Sequence, residues 1–128
     1  MIFAQRIGLN TCWTQSASPK MSDRNLPISN RTVILIAVGY GENQGVQHNN
    51  IELEEVADIH NAPDWFIKGV IYTLFAPTAS NRQNYQVIRQ ENKVKLYSGR
   101  SPIDQINLGI LQYHFECGAE PENFVWDC

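Results

Sequence analysis

The ten residues from Ala76 to Tyr85 have the side chains best suited to chemistry in this sequence. Pro77 ends the preceding apolar helix because it has no backbone N–H, and the small residues beside it let a flat ligand approach the backbone. Thr78, Asn81 and Gln83 offer hydrogen-bond donors and acceptors without a fixed charge. This set suits a polar heterocycle with a polyol tail better than a metal ion or a nucleophile, so the run predicts a binding corner for such a ligand.

Metal binding and nucleophilic catalysis have weaker support in the sequence. His48, His60 and His114 are far apart and no Cys-x-x-Cys motif is present, whereas a zinc site needs about four ligands at fixed geometry. There is no Gly-x-Ser-x-Gly motif, and the simplest interpretation of Cys12 is a small buried hydrophobe. We therefore predict no metal site and name no catalytic residue.

A glycine-rich turn at residues 39–45 follows the most apolar segment of the chain. It loosely resembles a dinucleotide fingerprint, in which glycines let a pyrophosphate reach the N-terminus of a helix. However, the spacing has one extra residue before Gly45, Glu42 would repel phosphates, and the residues that follow open a helix poorly. We favour a turn that ends a strand and keep a nucleotide-binding α/β module as an alternative.

A second ligand edge is predicted near the N-terminus. Gly8 closes a short helix, and Thr11, Cys12 and Trp13 follow it directly. Trp13 can stack on a planar ring, although a core aromatic is the plainer interpretation.

The hydrophobic pattern predicts an α+β fold around these segments. Residues 33–38 form an apolar run that is typical of a strand buried on both faces. Asn61 is predicted to cap a first helix, with Asp64 in its first turn, and Ser101 to start a second helix through a capping box. The predicted core-facing stripes are Ile67, Val70, Ile71 and Leu74 in the first helix and Ile103, Ile106, Ile110 and Leu111 in the second, which Gly118 ends. The predicted strands are a hairpin, Tyr85–Arg89 with Lys93–Tyr97, and a closing strand, Phe124–Trp126.

Composition limits the function classes. The 128 residues predict one domain, and a net charge of -3 without a basic stripe argues against nucleic acid as a main partner. The longest apolar run is too short to span a membrane, so we expect no membrane partner. Three widely spaced cysteines predict no disulfide framework and fit a cytoplasmic location.

Three blocks of the sequence resemble the FMN-dependent nitroreductase family, in its short form whose chain carries two related halves. Residues 4–13 are similar to the family's helix end and Gly-Leu-Gly-Thr-Cys-Trp turn, and residues 76–85 to its Ala-Pro-Ser-Ala-x-Asn-x-Gln-Pro-Trp segment. Residues 103–116 are similar to its Asp-Leu-Gly-Ile-Ala helix, and the three blocks stand in the family's order.

The resemblance implies a nitroreductase-like α/β sandwich, with a mostly antiparallel sheet flanked by helices and FMN bound in a cleft. Electrons would pass from NAD(P)H through the flavin to a nitro compound, a quinone or a similar small-molecule acceptor. By the same resemblance, the cofactor-binding residues are Pro77, Thr78, Asn81 and Gln83 on one side and Thr11, Cys12 and Trp13 on the other.

Two departures from the family pattern lead to the remaining expectations. The family's Arg-Arg-Ser-x-Arg cluster, which neutralises the FMN phosphate, is absent, and Arg6, Arg24 and Arg31 are isolated. Residues 1–128 are expected to form one nitroreductase-like domain that lacks its N-terminal third, so a homodimer or pairing with a missing N-terminal segment is expected. The alternative is a non-catalytic or truncated remnant with an incomplete flavin pocket.

Overall fold

Two compact units make up the chain, Met1–Val46 and Gln47–Cys128, and each is described here by itself. The structure is a computed structural model that describes residues 1–14 and 33–127. Arg24 and Arg31, which the sequence shows as isolated arginines, lie outside the described residues.

The first unit contains a short helix and a two-stranded antiparallel sheet. Helix α1 (Ile2–Arg6) is followed by Gly8 with a φ of 81°, which agrees with the predicted left-handed glycine cap. Strand β1 (Asn10–Thr14) pairs with β2 (Leu35–Gly39), so that the predicted ligand edge after Gly8 is a strand.

The prediction that residues 33–38 are buried on both faces is wrong. Val33, Ile36 and Val38 expose 63%, 47% and 57% of their surfaces. β-branched residues favour a strand whatever lies against it, so composition predicted the strand but not its burial.

The second unit packs two long helices against a three-stranded sheet. Its helices are α2 (Leu53–Val56), α3 (Asp64–Thr73) and α4 (Pro102–Ala119), and its strands are β3 (Tyr85–Gln90), β4 (Lys93–Ser98) and β5 (Val125–Trp126). The sheet order is β3-β4-β5, with β3 and β4 antiparallel and β5 parallel to β4. The predicted hairpin and closing strand are thus confirmed.

Helix α3 differs from its prediction at its start and on its buried face. Its N-cap is Pro63, whereas Asn61 lies before it with a φ of 54°. The residues it buries are Phe66, Gly69, Val70 and Thr73. Ile71 of the predicted stripe is 38% exposed, whereas Phe66 and Thr73, which the prediction left out, are fully buried.

Helix α4 begins as predicted and ends later. Asp104 N–H donates to Ser101 Oγ at 3.3 Å and Ser101 N–H donates to Asp104 Oδ2 at 3.0 Å, which makes the predicted capping box. Its buried residues are Asn107, Leu111, Phe115, Gly118 and Ala119. Ile103, Ile106 and Ile110 of the predicted stripe are only half-buried, and Gly118 lies inside the helix.

Glycines let α3 and α4 approach closely around an aromatic core. A Cβ on Gly69 would lie 2.6 Å from the ring of Phe115, and one on Gly118 would lie 2.6 Å from the carbonyl oxygen of Lys68. Phe115 also contacts Phe66 and Phe124, with ring centroids 6.0 and 5.1 Å apart. This core holds the end of α3 and the start of β3 in place, and the predicted binding corner joins them. Within residues 1–14 and 33–127, none of the helices has the length and apolar character that crossing a bilayer requires.

Candidate functional site

The predicted binding corner is a tight turn with left-handed backbone. It contains a short 3-10 turn, Ala79–Asn81, and Ser80, Asn81 and Gln83 have φ values of 52°, 51° and 47°. Residues other than glycine adopt this conformation at a cost of roughly 1–2 kcal/mol each, so the surrounding fold must hold them there.

Two buried polar side chains hold this turn from inside. Asn107 Oδ1, on the buried face of α4, accepts a 2.9 Å hydrogen bond from the N–H of Ala79. Thr78 Oγ1 accepts a 3.2 Å hydrogen bond from the N–H of Gln83. Asn107 was not among the residues predicted from the sequence. The signal for it is its position, four residues before Leu111 and eight before Phe115, which places a polar side chain on the apolar face of a helix.

Gln83 joins the turn to the segment before α2. Its Nε2 donates to the carbonyl oxygen of Asn49 at 2.7 Å and to Asn81 Oδ1 at 2.9 Å. Its Oε1 accepts a 3.2 Å hydrogen bond from the N–H of Ile51. Gln83 is buried, so these three bonds use its amide for structure.

Asn81 is the exposed member of the predicted set in this turn. Its Nδ2 donates to the carbonyl oxygen of Asn49 at 2.9 Å, which leaves one amide hydrogen for another partner. Pro77 is half-buried and Thr78 is buried. The structure therefore brings all four residues predicted from this segment together, with Asn81 the one whose side chain is open to solvent.

A cleft of about 500 Å³ lies beside the turn. Its lining residues come from the turn, both hairpin strands and the region of α2, and they are Ile51, Glu55, Arg82, Gln83, Asn84, Tyr85, Gln86, Tyr97, Ser98 and Gly99. This volume falls within the range of roughly 300–1,000 Å³ that small-molecule sites occupy. Gln83 is the one predicted binding residue among them.

The cleft carries one positive and one negative side chain on a mostly uncharged surface. Arg82 is the positive group and Glu55 the negative one, and both are exposed. Burial raises the pKa of Tyr85, whose hydroxyl donates a 3.0 Å hydrogen bond to Thr73 Oγ1, so its phenol is neutral at physiological pH. The arrangement suits a polar ligand, because the charges of Arg82 and Glu55 offset each other and the other lining residues are uncharged.

One buried acceptor next to the Gln83 contacts has no partner. Asn50 Oδ1 is buried and accepts no hydrogen bond from the described residues. It lies between Asn49 and Ile51, the two residues that Gln83 holds. A buried amide oxygen without a donor is unfavourable by about 1–3 kcal/mol.

The other predicted binding residues lie in the first unit, on β1. Thr11 pairs with Val38, Cys12 with Ala37 and Trp13 with Ile36. Successive side chains of a strand point to opposite faces, so Thr11 and Trp13 share one face and Cys12, which is exposed, lies on the other. The three predicted residues therefore do not form a single surface.

The glycine turn after β2 is held by asparagines. Asn10 Oδ1 accepts from Gly41 N–H at 3.1 Å and Asn10 Nδ2 donates to the carbonyl oxygen of Asn43, while Asn43 Oδ1 accepts from Gly45 N–H at 2.9 Å. The next helix starts only at Leu53, so the turn does not lead into a helix N-terminus. These contacts favour the turn that ends a strand over the nucleotide-binding alternative.

Metal binding has no geometric support in residues 1–14 and 33–127, where no group of three or more His, Cys, Asp or Glu side chains is placed to hold an ion.

Comparison with known proteins identifies a family. Residues 1–119 match the sequence model of the family described as Putative TM nitroreductase. Among solved structures, the chain is similar to a putative nitroreductase from Thermotoga maritima, with 26% sequence identity and a TM-score of 0.68. The similarity covers 89% of this chain and 47% of that one, so this chain spans about half the length of that protein. None of the curated proteins matches this chain significantly. The predicted fold class, a nitroreductase-like α+β arrangement of sheet and flanking helices, is confirmed.

Proposed function

We propose that this chain, which belongs to the Putative TM nitroreductase family, is an FMN-dependent oxidoreductase. It would pass electrons from NAD(P)H through the flavin to nitro or quinone-type acceptors. The observation that carries this proposal is the cleft of about 500 Å³ beside residues 76–85, which combines uncharged amides with one guanidinium.

The chemistry of the cleft fits a flavin. An isoalloxazine has one donor and several acceptors along its polar edge. The exposed amide of Asn84, which lines the cleft, and that of Asn81, in the turn beside it, offer both kinds of partner. Ile51 and Tyr97 supply apolar and aromatic surface in the cleft.

FMN, when bound, supplies the hydride and electron transfer, and the protein binds and orients it. We propose that Asn81 and Asn84 hold its polar edge and that Pro77 packs beside it. Thr78 and Gln83, whose polar atoms are in internal hydrogen bonds, keep the turn in its left-handed conformation. A rigid turn holds the exposed amides in one orientation before the ligand arrives, which reduces the entropic cost of binding.

We propose Thr11, Cys12 and Trp13 of β1 as further cofactor-binding residues. Thr11 and Trp13 share a face of β1, so they are the two that can contact one ligand together.

Partners and location follow from the same proposal. Because the chain spans about half of the similar structure, we propose that activity requires a homodimer or pairing with a further segment of the family's domain. The unpaired thiols of Cys12 and Cys117 favour a cytoplasmic location.

The first experiment measures the flavin directly. The purified chain should bind FMN in a fluorescence titration and oxidise NADH or NADPH in its presence. The variant Asn81→Ala should bind FMN about tenfold more weakly, since a hydrogen bond in such a site contributes roughly 1–3 kcal/mol. Asn92→Ala, in the exposed hairpin turn between β3 and β4, is the control and should leave the affinity unchanged. Absence of FMN binding by the wild-type chain would overturn the proposal.

The second candidate function is a non-catalytic remnant with an incomplete pocket. Two observations favour it. The polar side-chain atoms of Thr78 and Gln83 are engaged in hydrogen bonds within the protein, and apolar side chains of β2 are exposed. It predicts a colourless, associating protein whose unfolding temperature does not change in excess FMN.

A further inference from the structure

Arg82 has a fixed backbone and an unengaged side chain. The residues on either side, Asn81 and Gln83, have left-handed backbone and side chains held by hydrogen bonds. The N–H of Arg82 donates to the carbonyl oxygen of Ala79 at 3.2 Å. Among the described residues, its guanidinium makes no hydrogen bond or ion pair, and it is exposed at the cleft.

The carboxylate of Asp104, near Arg82, forms no ion pair with this guanidinium. Asp104 accepts hydrogen bonds from Ser101 N–H at 3.0 Å and from Ser101 Oγ at 2.6 Å in the α4 capping box. These bonds, with a smaller contribution from the positive charge of Arg82, lower the pKa of Asp104. The carboxylate of Asp104 is therefore engaged in the capping hydrogen bonds of α4, and the five N–H donors of Arg82 remain available to a ligand.

The charge balance of the cleft makes Arg82 the position for an anion. All residues lining the cleft are described, and Arg82 is the one that carries positive charge. A phosphate dianion needs charged or multiple donors, and guanidinium binds it in bidentate geometry.

We propose that Arg82 binds the phosphate of FMN and makes the cleft select the phosphorylated flavin over riboflavin. This inference rests on the proposed function. Arg82 stands between Asn81 and Gln83, so one short segment would hold both the polar ring edge and the anionic tail. Glu55, the negative residue of the same cleft, works against the anion and limits the affinity.

The test compares FMN with riboflavin, which lacks the phosphate. Wild-type chain, Arg82→Gln, Arg82→Lys, Glu55→Gln and the control Arg100→Gln would each be titrated with both flavins. Arg100 is exposed and follows the lining residue Gly99, but it does not line the cleft itself. Circular dichroism and thermal unfolding would show that each variant keeps its fold, which we expect because all the changed side chains are exposed.

The expected pattern separates the phosphate from the ring. Arg82→Gln should weaken FMN about tenfold, as expected for one charge-assisted interaction in an open cleft, and leave riboflavin unchanged. Arg82→Lys should recover part of the FMN affinity, and Glu55→Gln should strengthen FMN alone. FMN affinity of the wild type should fall as salt rises from 50 to 500 mM, because ionic screening shortens the reach of exposed charges to about 3–10 Å.

Three results would overturn the inference. If the wild type binds FMN and Arg82→Gln binds it equally well, Arg82 is not the phosphate residue, and the proposed function stands. If Arg100→Gln weakens FMN as much as Arg82→Gln does, the effect is general charge and not a site. If the wild type binds neither flavin, this inference and the proposed function both fail.

Discussion

The side-chain amide of Gln83 donates a 2.7 Å hydrogen bond to the backbone carbonyl oxygen of Asn49. This bond connects the turn before β3 to the segment before α2, and Asn81 donates to the same oxygen at 2.9 Å. The Asn-x-Gln pattern, which resembles that of the family, therefore holds the turn to the segment before α2 within the second unit. Its residues shape the cleft before any ligand is present.

Loss of the Gln83 side chain should destabilise the second unit. Gln83→Ala leaves the Ile51 N–H without its acceptor and removes two hydrogen bonds that the amide donates, so we expect a loss of about 2–3 kcal/mol in the free energy of unfolding. Urea denaturation measures this loss. Gln90→Ala, at the exposed end of β3, is the control and should change stability by less than about 0.5 kcal/mol. Equal stability of the two variants would show that the hydrogen bonds of Gln83 do not stabilise the second unit.

Local signals in the sequence predicted the parts of the fold that depend on local interactions. The α4 capping box needs only Ser101 and Asp104 three residues apart, and the hairpin needs only two alternating segments and a turn. These features were confirmed because they do not depend on residues that are distant in the sequence. The predicted buried faces of α3 and α4 were partly wrong, because the residues that become buried depend on how the two helices pack on each other. The close approach of the helices at Gly118 buries Phe115 and Ala119 in the core.

The sequence predicted a turn at residues 76–85 but not the contacts inside it. Pattern alone located the turn at residues 76–85, since its residue types are rare together. It could not show that Gln83 faces inward, because its partners Asn49 and Ile51 lie more than thirty residues away in the sequence. Asn107 was missed for the same reason, as a polar residue within an apolar stripe has no visible partner in sequence.

Asn107 should couple helix α4 to the binding turn. Asn107→Leu fits the apolar face but leaves the N–H of Ala79 without an acceptor, so we expect a loss of about 1–3 kcal/mol in unfolding free energy and weaker FMN binding. Urea denaturation and an FMN titration on the same preparation measure both effects. Asn92→Ala again provides the unaffected comparison. Unchanged flavin affinity despite the lost stability would show that the turn keeps its shape without this hydrogen bond.

Stability should fall in mild acid because of His114. Burial lowers the pKa of His114 below 6.5, and a hydrogen bond with the Tyr72 backbone opposes this only in part. The unfolded chain therefore takes up the proton first. The contribution of His114 to stability is present above about pH 6.5 and is lost as the pH falls from there through the lower pKa of the folded state. Asp104, whose pKa is lowered mainly by the Ser101 hydroxyl, acts in the same direction only below pH 3.8.

The pH effect is measured as the urea midpoint between pH 7.5 and 5. We expect the midpoint to decrease across this range in the wild type, and the decrease to be smaller in His114→Asn, which cannot be protonated. His60→Asn replaces an exposed histidine and should keep the wild-type slope. A wild-type slope in His114→Asn would mean that another group controls acid stability.

Two glycines of α4 should respond to alanine in opposite directions. Gly118→Ala places a methyl group 2.6 Å from the Lys68 carbonyl oxygen and 2.8 Å from the Tyr72 ring, and backbone cannot yield as a side-chain end does. We expect a loss of about 1–3 kcal/mol, as for other overpacked helix contacts. Gly109→Ala meets no atom within 4 Å and gains helix propensity, so it should stabilise the protein by about 0.5–1 kcal/mol. Chemical denaturation of both variants tests the close packing of α3 on α4, because helix propensity alone would make both substitutions stabilising. A gain in Gly118→Ala would therefore show that the two helices lie farther apart than the structure places them.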